Sequence, residues 1–186
     1  MSSSSEKIMI LAEPTPNPNS IRFGLNRTLL SGAPHDYTSA EAAKDSPLAT
    51  ELFLISGVKG VFIGSNFVTV TLTENIWAMR PLIEGTIEAH LSAGKPVVSG
   101  EAAPQPSALP EGSIEAGIQK ILDSEIRPAV AMDGGDVQFA GYEKGIVKLQ
   151  LRGSCHSCPS AILTLKGGIE NRLKAHFPEI VSVEAV

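Results

Sequence analysis

A stretch rich in proline, glycine, alanine and serine divides the chain and limits what it can fold into. It runs from Ala93 to Gly112, reads AGKPVVSGEAAPQPSALPEG and shows no apolar period. This composition favours a semi-stiff, partly extended linker over helix or strand. We therefore expect two small domains, residues 1–92 and 113–186, joined by a linker of residues 93–112, since each side is long enough to form a domain.

The composition excludes several classes of protein. Hydrophobic residues make up 42% of the 186 positions, enough for packed cores, and the formal charge is −5. A disordered chain would be poorer in apolar residues and carry more charge per residue. The acidic balance argues against nucleic-acid binding, which needs a basic surface. No apolar run approaches the roughly 20 residues that span a bilayer, so no membrane association is expected.

The cysteine count and the N-terminus indicate a reducing compartment. The only cysteines are Cys155 and Cys158, too few for a disulfide framework. Residues 1–6 are Ser-rich and lack the patterns of a secretory signal or a transit peptide. We expect a cytoplasmic, bacterial-type protein, or a mitochondrial matrix protein if the chain is a processed eukaryotic form.

The first domain has the pattern of a mixed α/β fold. Ser46-Pro47 is typical of a helix start, and Gly57 is expected to end that helix. A second helix is predicted from Asn75 to Leu91, with Pro81 inside it. Alternating or apolar runs predict strands at Lys7–Ala12, Ser20–Leu25, Val58–Ile63 and Phe67–Leu72, the last two as a hairpin.

The second domain predicts the order α-β-β-α-β, which places the protein in the α+β class with two small mixed domains. Ser113 is expected to cap its first helix and Pro128 to end it. The other predicted elements are strands Val137–Tyr142 and Ile146–Leu151, a helix after the cysteines that ends at Pro178, and a strand Ile180–Val186.

The reactive or metal-binding site is expected at Cys155 and Cys158, which lie three positions apart at the start of a predicted helix. Pro159 suits the first helical turn, so the sulfurs lie near the positive end of the helix dipole, which favours thiolate. Thiolates bind metals and attack disulfides. Two thiols are half of a four-cysteine metal site. Either a second copy or other types of ligand supply the other half, or no such site forms.

Three interpretations of this CxxC pair remain open from the residues alone. It could be incidental, it could be a thiol-disulfide oxidoreductase dithiol, or it could be half of an iron–sulfur or zinc site shared across a homodimer. The dithiol interpretation is disfavoured because thioredoxin-like folds place the motif after their first strand, whereas only 28 residues follow Cys158 here. The spacing does not distinguish iron from zinc.

Several motifs in order resemble a known family. Asp133-Gly134-Gly135-Asp136, the run from Leu151 to Ser160 and the run from Thr164 to Glu170 are similar to the C-terminal domain of NifU-type iron–sulfur scaffold proteins. Pro16-Asn17-Pro18-Asn19, Ser46-Pro47-Leu48-Ala49, the run from Asn66 to Val70, and Trp77 resemble the N-terminal domain that accompanies it in Nfu proteins.

The resemblance implies a carrier and not an enzyme. Cys155 and Cys158 of two subunits would hold one 4Fe–4S cluster, with 2Fe–2S as an alternative form. The cluster would come from upstream scaffold proteins and pass to apo iron–sulfur proteins, and the N-terminal domain would select these clients.

Other candidate residues have simpler explanations. Asp133–Asp136 offers too few oxygen ligands for a divalent cation and is better explained as a tight turn. His156 between the cysteines is a less favoured ligand, and Trp77 is expected in the first core or at its rim. Gly167 and Gly168 interrupt the last predicted helix and are expected where it packs closely against the sheet or against a second copy.

Overall fold

The computed structural model describes residues 7–73, 76–99, 112–155 and 159–186, with the backbone alone at 159–161. The chain divides into two compact units, one of Met1–Pro14 and Asn19–Ala103, the other of Thr15–Pro18 and Pro104–Val186. The predicted boundaries of the two domains and their linker stay a prediction. None of the helices in the described part of the chain is long and apolar enough to cross a membrane.

A five-stranded antiparallel sheet forms the first unit, with strand order β1-β2-β5-β4-β3. Its strands are β1 (Ile10–Pro14), β2 (Ser20–Leu25), β3 (His35–Tyr37), β4 (Val58–Ile63) and β5 (Phe67–Leu72). Two helices, α1 (Pro47–Phe53) and α2 (Ile76–Ser92), pack on one face of it. Alternate residues of each strand face these helices, because side chains of a strand point to opposite faces in turn.

The first core is built from this alternation. Val68 and Val70 of β5 are fully buried, as are Leu48 of α1 and Ile83 and Ile87 of α2. The single tryptophan, Trp77 on α2, is 49% exposed and therefore lies at the rim, one of the two places expected for it.

The second unit has a three-stranded sheet of order β6-β7-β8, in which β6 and β7 are antiparallel and β7 and β8 are parallel. Its elements are α3 (Ile114–Ile121), a π-helical turn (Leu122–Ile126), α4 (Arg127–Met132), β6 (Gly135–Glu143), β7 (Ile146–Gly153), α5 (Pro159–His176) and β8 (Ser182–Ala185). The parallel pairing needs a crossover between β7 and β8, and α5 supplies it.

The prediction that Pro128 ends the first helix of this unit is wrong. The helix passes from α3 through the π turn into α4 and continues to Met132, with Pro128 at the start of α4. Proline has no N–H for the usual bond to the carbonyl four residues earlier, and its ring crowds that carbonyl. The wider π turn before it is one way in which a helix accommodates that disruption.

Most other predicted elements are confirmed with small shifts. The fold class and the order α-β-β-α-β hold when the helix from Ile114 to Met132 is counted once. The predicted first strand, Lys7–Ala12, lies too early in the chain, since β1 begins at Ile10 and includes Pro14. Pro14 is tolerated because β1 is an edge strand and need not donate on its outer side. The short β3 was not predicted.

Ser46 joins two parts of the first unit and gives a testable prediction. Its Oγ accepts from the Ala49 amide, which caps α1, and donates to the Val97 carbonyl at 2.6 Å. Ser46→Ala is expected to lower the free energy of unfolding by about 1–2 kcal/mol, measured by urea denaturation. Ser92→Ala at an exposed site is the control, expected within about 0.5 kcal/mol of wild type. Equal effects of the two changes would contradict the capping role.

Candidate metal centre

Cys155 lies in the short connection between β7 and α5. β7 ends at Gly153, and α5 begins at Pro159, so the thiol precedes the helix N-terminus as predicted. Its side chain is only 5% exposed and is part of the core of the second unit. The other predicted ligand, Cys158, and the neighbouring His156 lie outside the described residues.

The segment that carries Cys155 is attached to the turn between α4 and β6. Ser154 donates from Oγ to the Asp133 carbonyl at 2.6 Å and from its backbone N–H to the Gly134 carbonyl at 3.3 Å. Ser154 Oγ also lies 3.8 Å from Cys155 Sγ. Because the single hydroxyl hydrogen of Ser154 is used on Asp133, the thiol is the donor in that contact.

Asp133–Asp136 is the tight turn that was predicted. Asp133 is the C-cap of α4, Gly134 has a φ of +79°, and Gly135 begins β6. The positive φ is one that glycine adopts without strain. No three His, Cys, Asp or Glu side chains gather into a possible metal site in the part of the chain that the structure describes.

Because Gly135 has no side chain, the Cys155 thiol can occupy the space next to its Cα. A Cβ at position 135 would lie 2.8 Å from Cys155 Sγ and 2.7 Å from the Arg152 carbonyl oxygen. Both distances are far below van der Waals contact, and the second involves backbone that cannot swing away. The position of the thiol therefore depends on the absence of a side chain at Gly135.

A partly buried ion pair, between Arg127 and the buried Asp136, supports the other end of the same turn. Asp136 is 7% exposed and receives hydrogen bonds from Arg127 Nε at 3.1 Å and Nη2 at 3.4 Å. Arg127 also binds the Val137 carbonyl from Nε and the Asp123 carboxylate from Nη1. Burial raises the pKa of the Asp136 carboxyl, and the Arg127 guanidinium acts in the opposite direction.

An apolar pocket adjoins Cys155 in this unit. Ile126 and Val130 line it from the first helix, and Leu165 and Ile169 line it from α5. Apolar walls around a thiol limit the access of water to it and lower the local dielectric.

Sequence reasoning placed Gly134 and Gly135 in a turn near the Cys155 loop, but it missed the contact of Gly135 with the thiol and the supporting role of Arg127. The Gly-Gly pair was available as a signal of close backbone approach, but nothing in a single sequence shows which atom approaches. Arg127 gave no signal, because its pairing with Asp136 depends on the helix continuing past Pro128.

Two family profiles match the chain. The profile described as "Scaffold protein Nfu/NifU N terminal" covers residues 10–94, and the "NifU-like domain" profile covers residues 118–184. The human protein named NFU1 iron-sulfur cluster scaffold homolog, mitochondrial, is 43% identical over 183 residues, which are 96% of this chain and 72% of that protein. This chain belongs to the Nfu family.

The Drosophila relatives agree with this assignment. The Drosophila erecta protein of the same name is 41% identical over 96% of this chain and 65% of its own length, so the Nfu chain described here spans about two thirds of such relatives. A solution structure of a NifU-like protein from Saccharomyces cerevisiae is 26% identical, covers 54% of this chain and 92% of its own, and has a TM-score of 0.45.

The space at Gly135 predicts the effect of adding one methyl group. Gly135→Ala is expected to push the Cys155 sulfur outward and to lower the free energy of unfolding by about 1–3 kcal/mol. In a Cys158→Ser background, the reaction of the remaining thiol with a disulfide reagent should become faster. Gly85→Ala, at an exposed helical glycine with nothing within 4 Å of its added Cβ, is the control and should leave the thiol rate unchanged. An unchanged rate in Gly135→Ala would contradict the contact.

The Arg127–Asp136 pair predicts a pH-dependent loss of stability. Arg127→Met leaves the Asp136 carboxylate buried without its main cation, so the free energy of unfolding at pH 7 should fall by about 2–4 kcal/mol. The loss should shrink as the pH is lowered, because a carboxyl whose folded pKa is raised binds its proton more readily in the folded state. Urea denaturation at pH 7 and pH 5 measures both effects, and Arg127→Met with Asp136→Asn is the control that should lose the pH dependence.

Proposed function

We propose that this chain binds an iron–sulfur cluster between two copies of itself and passes it to apo iron–sulfur proteins. Each copy would contribute the thiolates of Cys155 and Cys158. The observation that carries the proposal is the place of Cys155, before the N-terminus of α5 in a domain that matches the NifU-like profile. The relatives are named as iron-sulfur cluster scaffold homologs, which supports it.

The ligand count supports a shared site. A cubane cluster is usually held by four cysteine thiolates, and the chain contains two cysteines in total. A second copy related by twofold symmetry supplies the missing pair with the same geometry, which is the commonest way for soluble proteins to pair. We propose 4Fe–4S as the cluster, with 2Fe–2S as the alternative form.

Loading a cluster requires the Cys155 thiol to leave its buried position. At 5% exposure, packed against Gly135, the sulfur does not reach a partner chain. We infer that the Cys155 side chain moves away from Gly135 when its thiolate binds a cluster. The thiol then has two positions, one sheltered and one presented to a ligand.

Transfer by this arrangement is ligand exchange and not catalysis. Thiolates of an acceptor replace those of the carrier one at a time, so no general acid, general base or nucleotide is needed. The partners we propose are therefore an upstream scaffold that supplies the cluster and apo iron–sulfur proteins that receive it. The relatives' names carry the word mitochondrial, which supports the mitochondrial matrix over the bacterial cytoplasm as the site of action.

Two other functions use the same thiols and differ in their observable properties. A thiol-disulfide oxidoreductase would form a reversible Cys155–Cys158 disulfide and work as a monomer. A zinc-bridged interaction module would be colourless and would lose its fold when the metal is removed.

Anaerobic reconstitution tests the proposal. Wild type is expected to become a coloured dimer with about two irons and two sulfides per chain, measured by metal and sulfide analysis with light scattering. Cys155→Ser and Cys158→Ser should each abolish binding and transfer while the apo circular dichroism spectrum stays unchanged. Ser92→Ala is the control. A colourless monomer whose thiols cycle, or a zinc-containing dimer, would contradict the proposal.

A further inference from the structure

Residues Lys95–Ser99, near the start of the predicted linker, are fastened to the first unit around the beginning of α1. The Ser99 amide donates to the Asp45 carbonyl at 2.6 Å, and the Val97 carbonyl accepts from the Ser46 hydroxyl. The side chain of Val97 also packs against the first core. This segment, here called the docked segment, has no helix or strand of its own, so its position depends on these contacts.

A fully buried histidine ring holds the other end of the docked segment. His90 lies in the last turn of α2, and its side chain has an exposure of 0%. Its Nδ1 lies 3.0 Å from Glu51 Oε2 on α1, and its Nε2 lies 3.1 Å from the Pro96 carbonyl oxygen. The ring therefore connects α1 with the docked segment, and each of its nitrogens faces an oxygen atom.

Both of these oxygen atoms can only accept hydrogen bonds. A carbonyl has no hydrogen to donate, and Lys95 donates to the second oxygen of Glu51 at 2.7 Å. The hydrogen bonds from Lys95 and His90 lower the pKa of the Glu51 carboxyl, so this group is ionised and is an acceptor as well. A neutral imidazole carries one N–H, whereas the imidazolium carries two. Only the doubly protonated ring satisfies both contacts.

We propose that His90 is a proton-dependent latch that keeps the docked segment on the first unit. When the ring loses one hydrogen, the lone pair of one nitrogen faces an acceptor oxygen at 3.0 or 3.1 Å. Because the ring is fully buried, water does not replace the lost donor, and one of the two contacts is given up. Histidine is the side chain whose charge ordinarily changes between pH 5 and 8. The latch therefore holds at the acidic end of that range and releases the docked segment as the pH rises.

The groups around the ring leave His90 as the one that changes charge. In the described part of the chain, Glu51 is the one charged group within hydrogen-bond distance of the ring, and Lys95 of the docked segment contacts Glu51 on its other oxygen. On α2 itself, Thr86 and Ile87, one turn before the ring, are uncharged. The Glu51 carboxylate stays ionised at neutral pH because its pKa is lowered.

Release of the docked segment changes the length of chain between the two units. Five residues are added to it, and these span about 15 Å when fully extended. The reach of a connection between two domains depends on its length, so the latch couples that reach to pH. The inference is independent of the proposed function, since neither cysteine takes part.

Nuclear magnetic resonance of the cluster-free full chain between pH 6 and pH 9 tests the latch in the wild-type protein. The nitrogen shifts of the His90 ring count its hydrogens, and hydrogen exchange of the Ser99 amide reports the docked segment. We expect two ring hydrogens at pH 6 and one at pH 9. Protection of the Ser99 amide should fall at least about tenfold with the same midpoint, while the Ile87 amide in α2 keeps its protection.

Two variants that each remove one carboxylate separate the latch from a general effect of charge. Glu51→Gln keeps an oxygen that accepts from His90 Nδ1 but removes the negative charge, so the midpoint should move to lower pH by about one pH unit. Glu88→Gln removes the same charge from an exposed site on α2 and is the control, expected to leave the midpoint unchanged.

Three results would overturn the latch. The first is a His90 ring that keeps the same number of hydrogens from pH 6 to pH 9. The second is protection of the Ser99 amide that does not follow the titration of the ring. The third is an equal shift of the midpoint in Glu51→Gln and Glu88→Gln, because the total charge of the chain would then explain it.

Discussion

The hydrogen bond from Ser154 to the Asp133 carbonyl is the contact on which the rest of the candidate site depends. It fixes the end of β7 to the turn after α4, and only then does the Cys155 thiol lie against Gly135. The Arg127–Asp136 pair stabilises the same turn from its other side. A neutral hydrogen bond of this kind contributes about 1 kcal/mol, which is enough to hold a short segment and small enough to be given up when a ligand binds.

A sheltered thiol is compatible with the proposed role because the hydrogen bond at Ser154 is weak enough to be broken when a ligand binds. A cysteine exposed permanently near a helix N-terminus would be prone to oxidation, since the thiolate is the reactive form. Burial against Gly135 protects the sulfur while no cluster is bound. Since the backbone beside it is held at Ser154, the proposed movement of the Cys155 side chain leaves β7 in place.

Much of this arrangement could be predicted from the sequence, and there are physical reasons why the rest could not. Strand alternation, the helix start at Ser46-Pro47 and the Ser113 cap are local patterns, and each was confirmed. The continuation of a helix past Pro128 was not predictable from local rules, because packing of Val130 into the core outweighs the local preference of proline. The contact of Gly135 with Cys155 joins positions 20 residues apart, and only the pairing of β6 with β7 brings them together.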